Sequence, residues 1–145
     1  MAFDSAKRVF NGTFGYLWID GEPVAEVTAC SAKYNYNKQK IAMSGQFVND
    51  SKVMSADGVG SVTLHKINSR FLNDHAIQML KGIDSRVTIV TALKDPDAYG
   101  FERIALYNCS FDDLTLADWR AGEVVSITRA FTFTRHELLD EVEVA

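Results

Sequence analysis

Residues 124–134, VVSITRAFTFT, alternate with a period of two. Val125, Ile127, Phe131 and Phe133 share a parity with Arg129, while Ser126, Thr128, Ala130 and Thr132 fall on the other. Successive side chains on a strand point to opposite faces, so this spacing predicts a strand with one packed face and one polar face. The β-branched and aromatic content of the run favours the same backbone. A chain containing such a segment must bury its apolar side against another sheet or layer, which sets the fold class before any other residue is read.

The remaining strand signals agree. Residues 13–19 are rich in β-branched and aromatic side chains, and Asp20-Gly21 behind them is a two-residue hairpin signal, because both types tolerate positive φ. A second strand is expected from near Val24. Between positions 32 and 37, Ala32, Tyr34 and Tyr36 alternate with Lys33, Asn35 and Asn37. Strand character resumes at 58–67 and again at 87–93, 103–111 and 124–134. One amphipathic helix is predicted, with Leu72, Ala76, Met79 and Leu80 on a single stripe, Asn68 or Ser69 as its cap and Gly82 as its stop. Six or so strands with one helix and short turns predict a mainly β chain, a β-sandwich or partly open barrel. A chain of 145 residues fits one domain and can bury roughly 70% of its unfolded surface.

Residues 38–57 mix Lys, Gln, Asn, Ser and Gly with isolated Ile41, Met43, Phe47, Val53 and Met54, and show no sustained periodicity. They read as a long extended loop, a feature that compact domains keep for contact or function. Cys30 and Cys109 have no partner at metal-ligand or redox spacing, and both are expected to be reduced core residues. The first eleven residues contain Asp4, Lys7 and Arg8 and no apolar signal stretch, and no window reaches the length of a membrane helix. A soluble product without a membrane anchor, made in the cytoplasm, is expected. The net charge of −4 without a basic block argues against a protein that grips phosphates.

Several apparent chemical motifs are incomplete. His65, His75 and His136 are too scattered for a zinc site. Gly58-Val59-Gly60-Ser61 lacks the lysine and strand-to-helix setting of a phosphate loop. Asp95, Asp97 and Gly100 match positions one, three and six of a calcium loop, but position twelve is Leu106 rather than a bidentate glutamate. The Asp-Pro-Asp opening is a turn former. Asp112, Asp113 and Asp118 are turn and cap residues first. No cofactor, metal or catalytic set is expected, and the chain is not read as an enzyme.

Several longer blocks carry a resemblance. These are FDDLTLADWRAGEVVSITRAFTFT at 111–134, NGTFGYLWIDGEPVAEV at 11–27, GVGSVTL at 58–64 followed by INSR at 67–70, LKDPDAYG at 93–100 and ERIA at 102–105. In this order they resemble the tail tube proteins of contractile phage tails and phage-tail-like bacteriocins, in the group related to the tube protein of a defective Bacillus phage-like particle. The resemblance implies a single tube domain over 1–145, with an N-terminal arm at 1–11 and an inter-subunit loop at 38–57. It implies sixfold rings stacked into a hollow tube, enclosed by a sheath and started on a baseplate, with a tape-measure protein setting length. DNA would pass through the lumen without specific binding, or the tube would act as a membrane-puncturing needle. Assembly in the host cytoplasm and residence in the particle follow.

Within that frame, Ile41, Met43, Gln46, Phe47, Lys52, Val53 and Met54 are the expected oligomer contacts. Lys33, Asn35, Asn37, Ser61 and Thr63 are the expected lumen-facing residues. Six chains of −4 each would give a ring about −24, which would keep passing DNA from adhering. The alternative is a small-ligand-binding β-barrel in which Trp18, Tyr34, Tyr36 and Trp119 line a cavity.

Overall fold

The computed structural model describes residues 5–66, 78–97 and 100–140. Two 3-10 turns, Ala6–Arg8 and Gly12–Phe14, precede eight strands: β1 (Gly15–Ile19), β2 (Glu22–Pro23), β3 (Val27–Ile41), β4 (Asp50–His65), β5 (Val87–Leu93), β6 (Glu102–Phe111), β7 (Ser126–Phe133) and β8 (Arg135–Asp140). All pairings are antiparallel, in the order β2-β1-β5-β6-β7-β4-β3, with β8 added on β6. The mainly β, open architecture is the one the sequence predicts.

The sheet folds over itself because one stretch of chain serves both halves. β7 pairs with β4 over its whole length and touches β6 only at Ser110 and Phe111. After the single residue Thr134, whose N–H donates to the Tyr107 carbonyl at 3.3 Å, β8 runs along β6 from Tyr107 to Arg103. The core fills the angle this makes. Leu17, Ile19, Val87, Ile89, Leu106 and Cys109 come from one half, and Val62, Leu64, Phe131 and Phe133 from the other. Burying each of the larger side chains stabilises the fold by about 1.5–3 kcal/mol.

Local sequence accounts for the turns. Asp20 and Gly21 take φ of 51° and 82°, the left-handed pair that a two-residue hairpin between β1 and β2 demands. The Asp20 carboxylate then accepts from the Thr88 N–H at 2.9 Å, tying the turn to β5. Asp95 is buried, and its carboxylate accepts from the N–H groups of Asn11 at 2.8 Å and Asp97 at 2.9 Å. The opening of the would-be calcium loop is thus a turn whose leading aspartate holds the segment at Asn11.

Gly58 and Gly60 are required by packing. They stand opposite Phe133 and Phe131 on β7. A Cβ on Gly60 would lie 2.5 Å from the Phe131 ring and 2.5 Å from the Ser31 carbonyl oxygen, and one on Gly58 would lie 2.4 Å from the Phe133 carbonyl oxygen. The two rings occupy the space the glycines leave.

Three expectations need correction. Residues 38–57 are not a loop: 38–41 complete β3 and 50–57 begin β4, leaving only 42–49 as a connection. There are eight strands among the described residues rather than six, the additions being the two-residue β2 and the edge strand β8. Cys109 is buried, but Cys30 lies on an exposed part of β3 and is not a core residue. Of the expected helix, Leu72 and Ala76 lie outside the described residues. Positions 78–80 are helical, and Gly82, at φ 73°, donates its N–H to the Met79 carbonyl at the predicted stop.

Two outcomes follow. Gly60→Ala is expected to destabilise the unassembled subunit by about 1–3 kcal/mol through overpacking, measured by denaturant unfolding; an unchanged midpoint would show the rings move aside freely. Burial pushes the Cys109 thiol from an ordinary 9.0 up to about 11. The folded chain therefore holds a proton that the unfolded chain releases, and stability should fall as pH rises from about 9 to 11. In Cys109→Ala that alkaline slope should be smaller, read by unfolding at several pH values.

Candidate assembly surfaces

β3 and β4 outrun the body they belong to. Their ladder continues from Val27↔Leu64 to Ile41↔Asp50, whereas β7 supports β4 only between Gly58 and His65. From the Asn35↔Asp57 pair outward there is no third strand among the described residues, and all residues from 28 to 57 are exposed. At about 3.4 Å per residue the unsupported ribbon extends about 20 Å before its tip begins. It leaves two open backbone edges, the outer edge of β3 and that of β4 over 50–57.

Cross-strand partners share a face, so the register places the five predicted lumen residues. Lys33, Asn35 and Asn37 pair with Val59, Asp57 and Ser55, and Ser61 and Thr63 pair with Ser31 and Ala29 on one side and Ala130 and Thr128 on the other. All five lie on one polar face. Asn37 Nδ2 donates to Ser55 Oγ at 3.0 Å and Asp57 Oδ2 at 3.1 Å, and the Thr63 and Thr128 hydroxyls are 3.1 Å apart. Lys33 and Asp57 balance one another there.

The predicted contact residues gather at the far end. Ile41 closes the ladder; Lys52 and Val53 face Gln39 and Lys38; Met54 is the extra residue at the bulge between the Asn37↔Ser55 and Lys38↔Val53 pairs; Met43, Gln46 and Phe47 lie in the tip. Phe47 is 100% exposed, and Tyr36, Ile41, Met43, Val48, Val53 and Met54 are exposed with it. Leaving a phenylalanine in water forgoes about 1.5–3 kcal/mol of burial. Exposed apolar residues gathered in this way are uncommon on a monomer's surface. Tyr36 and Val48 join this cluster in addition to the residues expected there.

The root of the ribbon is locked to the body. The Tyr34 ring lies 5.2 Å from Phe133, and its hydroxyl is 2.7 Å from His136 Nδ1 at the start of β8. Beside them an open cleft of about 320 Å³ is lined by Cys30, Ala32, Tyr34, Ile104, Phe133 and His136, among others. Cys30 is exposed as a residue, but its thiol lies against the cleft wall beside Thr91; that local desolvation pushes the thiol upward, and the hydrogen bond with Thr91 opposes the shift.

The four aromatics of the ligand-barrel alternative do not converge. Tyr34 alone lines the cleft. Trp18 stacks with Tyr16 at 6.3 Å under Lys94, while Tyr36 and Trp119 are exposed. Arg129, which shares the apolar parity of β7, is buried with its guanidinium 4.0 Å over the Phe111 ring and donates to the Asp113 carbonyl at 3.0 Å. Burial lowers its pKa, with Asp113 opposing. Its charge is spent inside the body rather than in a lumen. Among the described residues no group of three or more His, Cys, Asp or Glu is placed to hold a metal, and no helix is long and apolar enough to cross a membrane.

The chain was compared with known proteins. It is 30% identical over 140 residues to the uncharacterised protein YqbM of Bacillus subtilis strain 168, covering 95% of each. It is 30% identical over 113 residues to the phage-like element PBSX protein XkdM of the same strain, covering 77% of each. Its fold matches a chain of the sheath-tube complex of an extracellular contractile injection system, PVC, in the extended state, with a TM-score of 0.67 at 7% identity, covering 95% of both chains. The profile of the phage tail tube proteins matches residues 2–140, and the chain belongs to that family.

Proposed function

We propose that this tube protein assembles through its β3–β4 ribbon into sixfold rings that stack as the inner tube of a contractile phage tail or phage-tail-like particle. The observation that carries the reading is the ribbon itself: exposed on both faces, open on both edges and apolar at its end. An isolated two-stranded hairpin is marginally stable in water. Pairing the outer edge of β3 in one copy with the outer edge of β4 in the next would satisfy both rows of backbone groups. Such a contact is head-to-tail, so a rotation that closes makes a ring. Closure abolishes the edges altogether.

The polar face of Lys33, Asn35, Asn37, Ser61 and Thr63 then lines the bore. Its small, mostly neutral side chains offer no array of cations to hold phosphates, so DNA passes without sticking. The acidic charge lies elsewhere: residues 31–57 hold four lysines and two aspartates, +2, which leaves −6 for the rest of the chain. Obligate interfaces bury about 2,000–5,000 Å² in total, enough to order a ribbon that one subunit holds only at its root. The role is structural rather than catalytic. Sheath and baseplate contacts would lie on the tube exterior and its end, and a tape-measure protein would run within.

Two measurements test this. Replacing residues 36–56 with Asn-Gly closes the hairpin at the Asn35↔Asp57 pair. The product should remain folded, with a thermal midpoint within a few degrees of the parent, yet form no rings or tubes in negative-stain micrographs; polymers of ordinary appearance would refute the ribbon's role. Asn35→Trp should leave assembly intact and narrow the channel seen by cryo-EM, and an unchanged bore would show that the polar face points elsewhere.

A further inference from the structure

The ribbon tip and the cleft at the ribbon root have complementary properties. The tip presents a fully exposed phenyl ring, Phe47, flanked by Met43 and Val48. The cleft, about 320 Å³ and open on one side, is walled by aliphatic and aromatic surface from Ala32, Tyr34, Ile104 and Phe133. That volume accommodates one aromatic side chain together with part of an aliphatic neighbour. Charge agrees with shape. Lys38, Lys40 and Lys52 stand behind the tip against Asp50 alone, and the chain outside residues 31–57 is net −6, while at the cleft itself Lys33 and Glu102 offset one another.

A subunit cannot satisfy itself in this way. The cleft is built on Cys30, Ala32 and Tyr34 of β3, and the tip begins after Ile41 on the same strand. Seven residues of extended chain hold the two about 24 Å apart. The occupant must be a second copy.

We propose that Phe47 of one copy seats in the Tyr34–His136 cleft of a copy in the adjacent ring, making this the axial contact that stacks the tube. The inference rests on the assembly reading above and adds the partner site for the tip. Because knob and cleft are different surfaces of the same chain, the contact propagates without limit along the axis. It also explains why the root is stiffened: Tyr34 is both a wall of the cleft and the residue pinned to Phe133 and His136. The arm that reaches forward and the site that receives are set by one strand.

The test places p-benzoyl-phenylalanine at position 47, which keeps the aromatic bulk, in tubes formed from equal parts of this chain and an isotopically labelled copy. Irradiation should join position 47 of one chain to peptides containing Cys30–Tyr34 or Phe133–His136 of another, identified by mass spectrometry. Tubes of normal length whose cross-links land elsewhere, or stay within one chain, would overturn the proposal. Should the probe itself block elongation, Ala32→Trp fills the cleft from its wall. It is expected to shorten tubes at least tenfold at fixed protein concentration while leaving the thermal midpoint of the subunit in place, and full-length tubes would again overturn the proposal. If the unsubstituted chain forms neither rings nor tubes, the assembly reading falls and this inference with it, an outcome distinct from tubes that cross-link in the wrong place.

Discussion

The pairing of β3 with β4 beyond the reach of β7 is the constraint on which the rest depends. Inside the body this ladder behaves like any core strand pair: Val62 and Leu64 are buried, and Gly58 and Gly60 receive the rings of Phe133 and Phe131. Those close approaches fix the register, since a slip of one residue would drive Val59 or Ser61 into the aromatic rings and carry the whole apolar set to the wet face. The register then runs outward along the ribbon, where nothing else specifies it. The core thus determines which side chains the distal ribbon shows on each face, although no core atom touches them.

How much of this was legible in the sequence follows from where water lies. β5 and β7 could be read because one face is packed and the other wet, which forces alternation, and the β1–β2 turn because Asp20-Gly21 is a backbone requirement. The ribbon was read as a loop for the converse reason. When both faces are exposed, no pressure separates apolar from polar positions, and Lys, Gln, Met and Val alternate with nothing. β8, RHELLD, was invisible on the same grounds: it is an edge strand with little buried surface. The polar face was legible from parity alone. The exposed apolar residues of the ribbon end were legible as apolar side chains in a polar setting, but not as one cluster, because the bulge after Asn37 and the two-stranded register that gather them leave no local signature. Cys30 was misplaced because, although it pairs with the buried Val62, it sits on the outermost strand at the mouth of an open cleft, where its apolar sequence neighbourhood meets water.

The charge distribution divides along the same boundary. The ribbon is net positive and the body net negative, while Arg129, which might have been counted among surface cations, is buried against Phe111. In the proposed assembly, opposite signs on arm and body would steer one copy's ribbon toward another copy's body, and salt would weaken that attraction before the apolar contact. Such an association would be directional before any side chain is seated.

That direction matters because an exposed, two-edged ribbon is also a template for uncontrolled aggregation. Lys33, Lys38, Lys40 and Lys52 place like charges against one another when two ribbons meet in an arbitrary antiparallel register, and the bulge between Asn37 and Lys38 disturbs the flat edge that a growing sheet would need. On the proposed assembly, edge pairing would be favourable where a neighbour's body also supplies acidic surface and a place for the apolar tip. Head-to-tail assembly meets both conditions at once, and ribbon-on-ribbon stacking meets neither. The features that made this segment unreadable as a strand, its lysines and its lack of a uniform apolar face, are those that discourage indiscriminate pairing along an open edge.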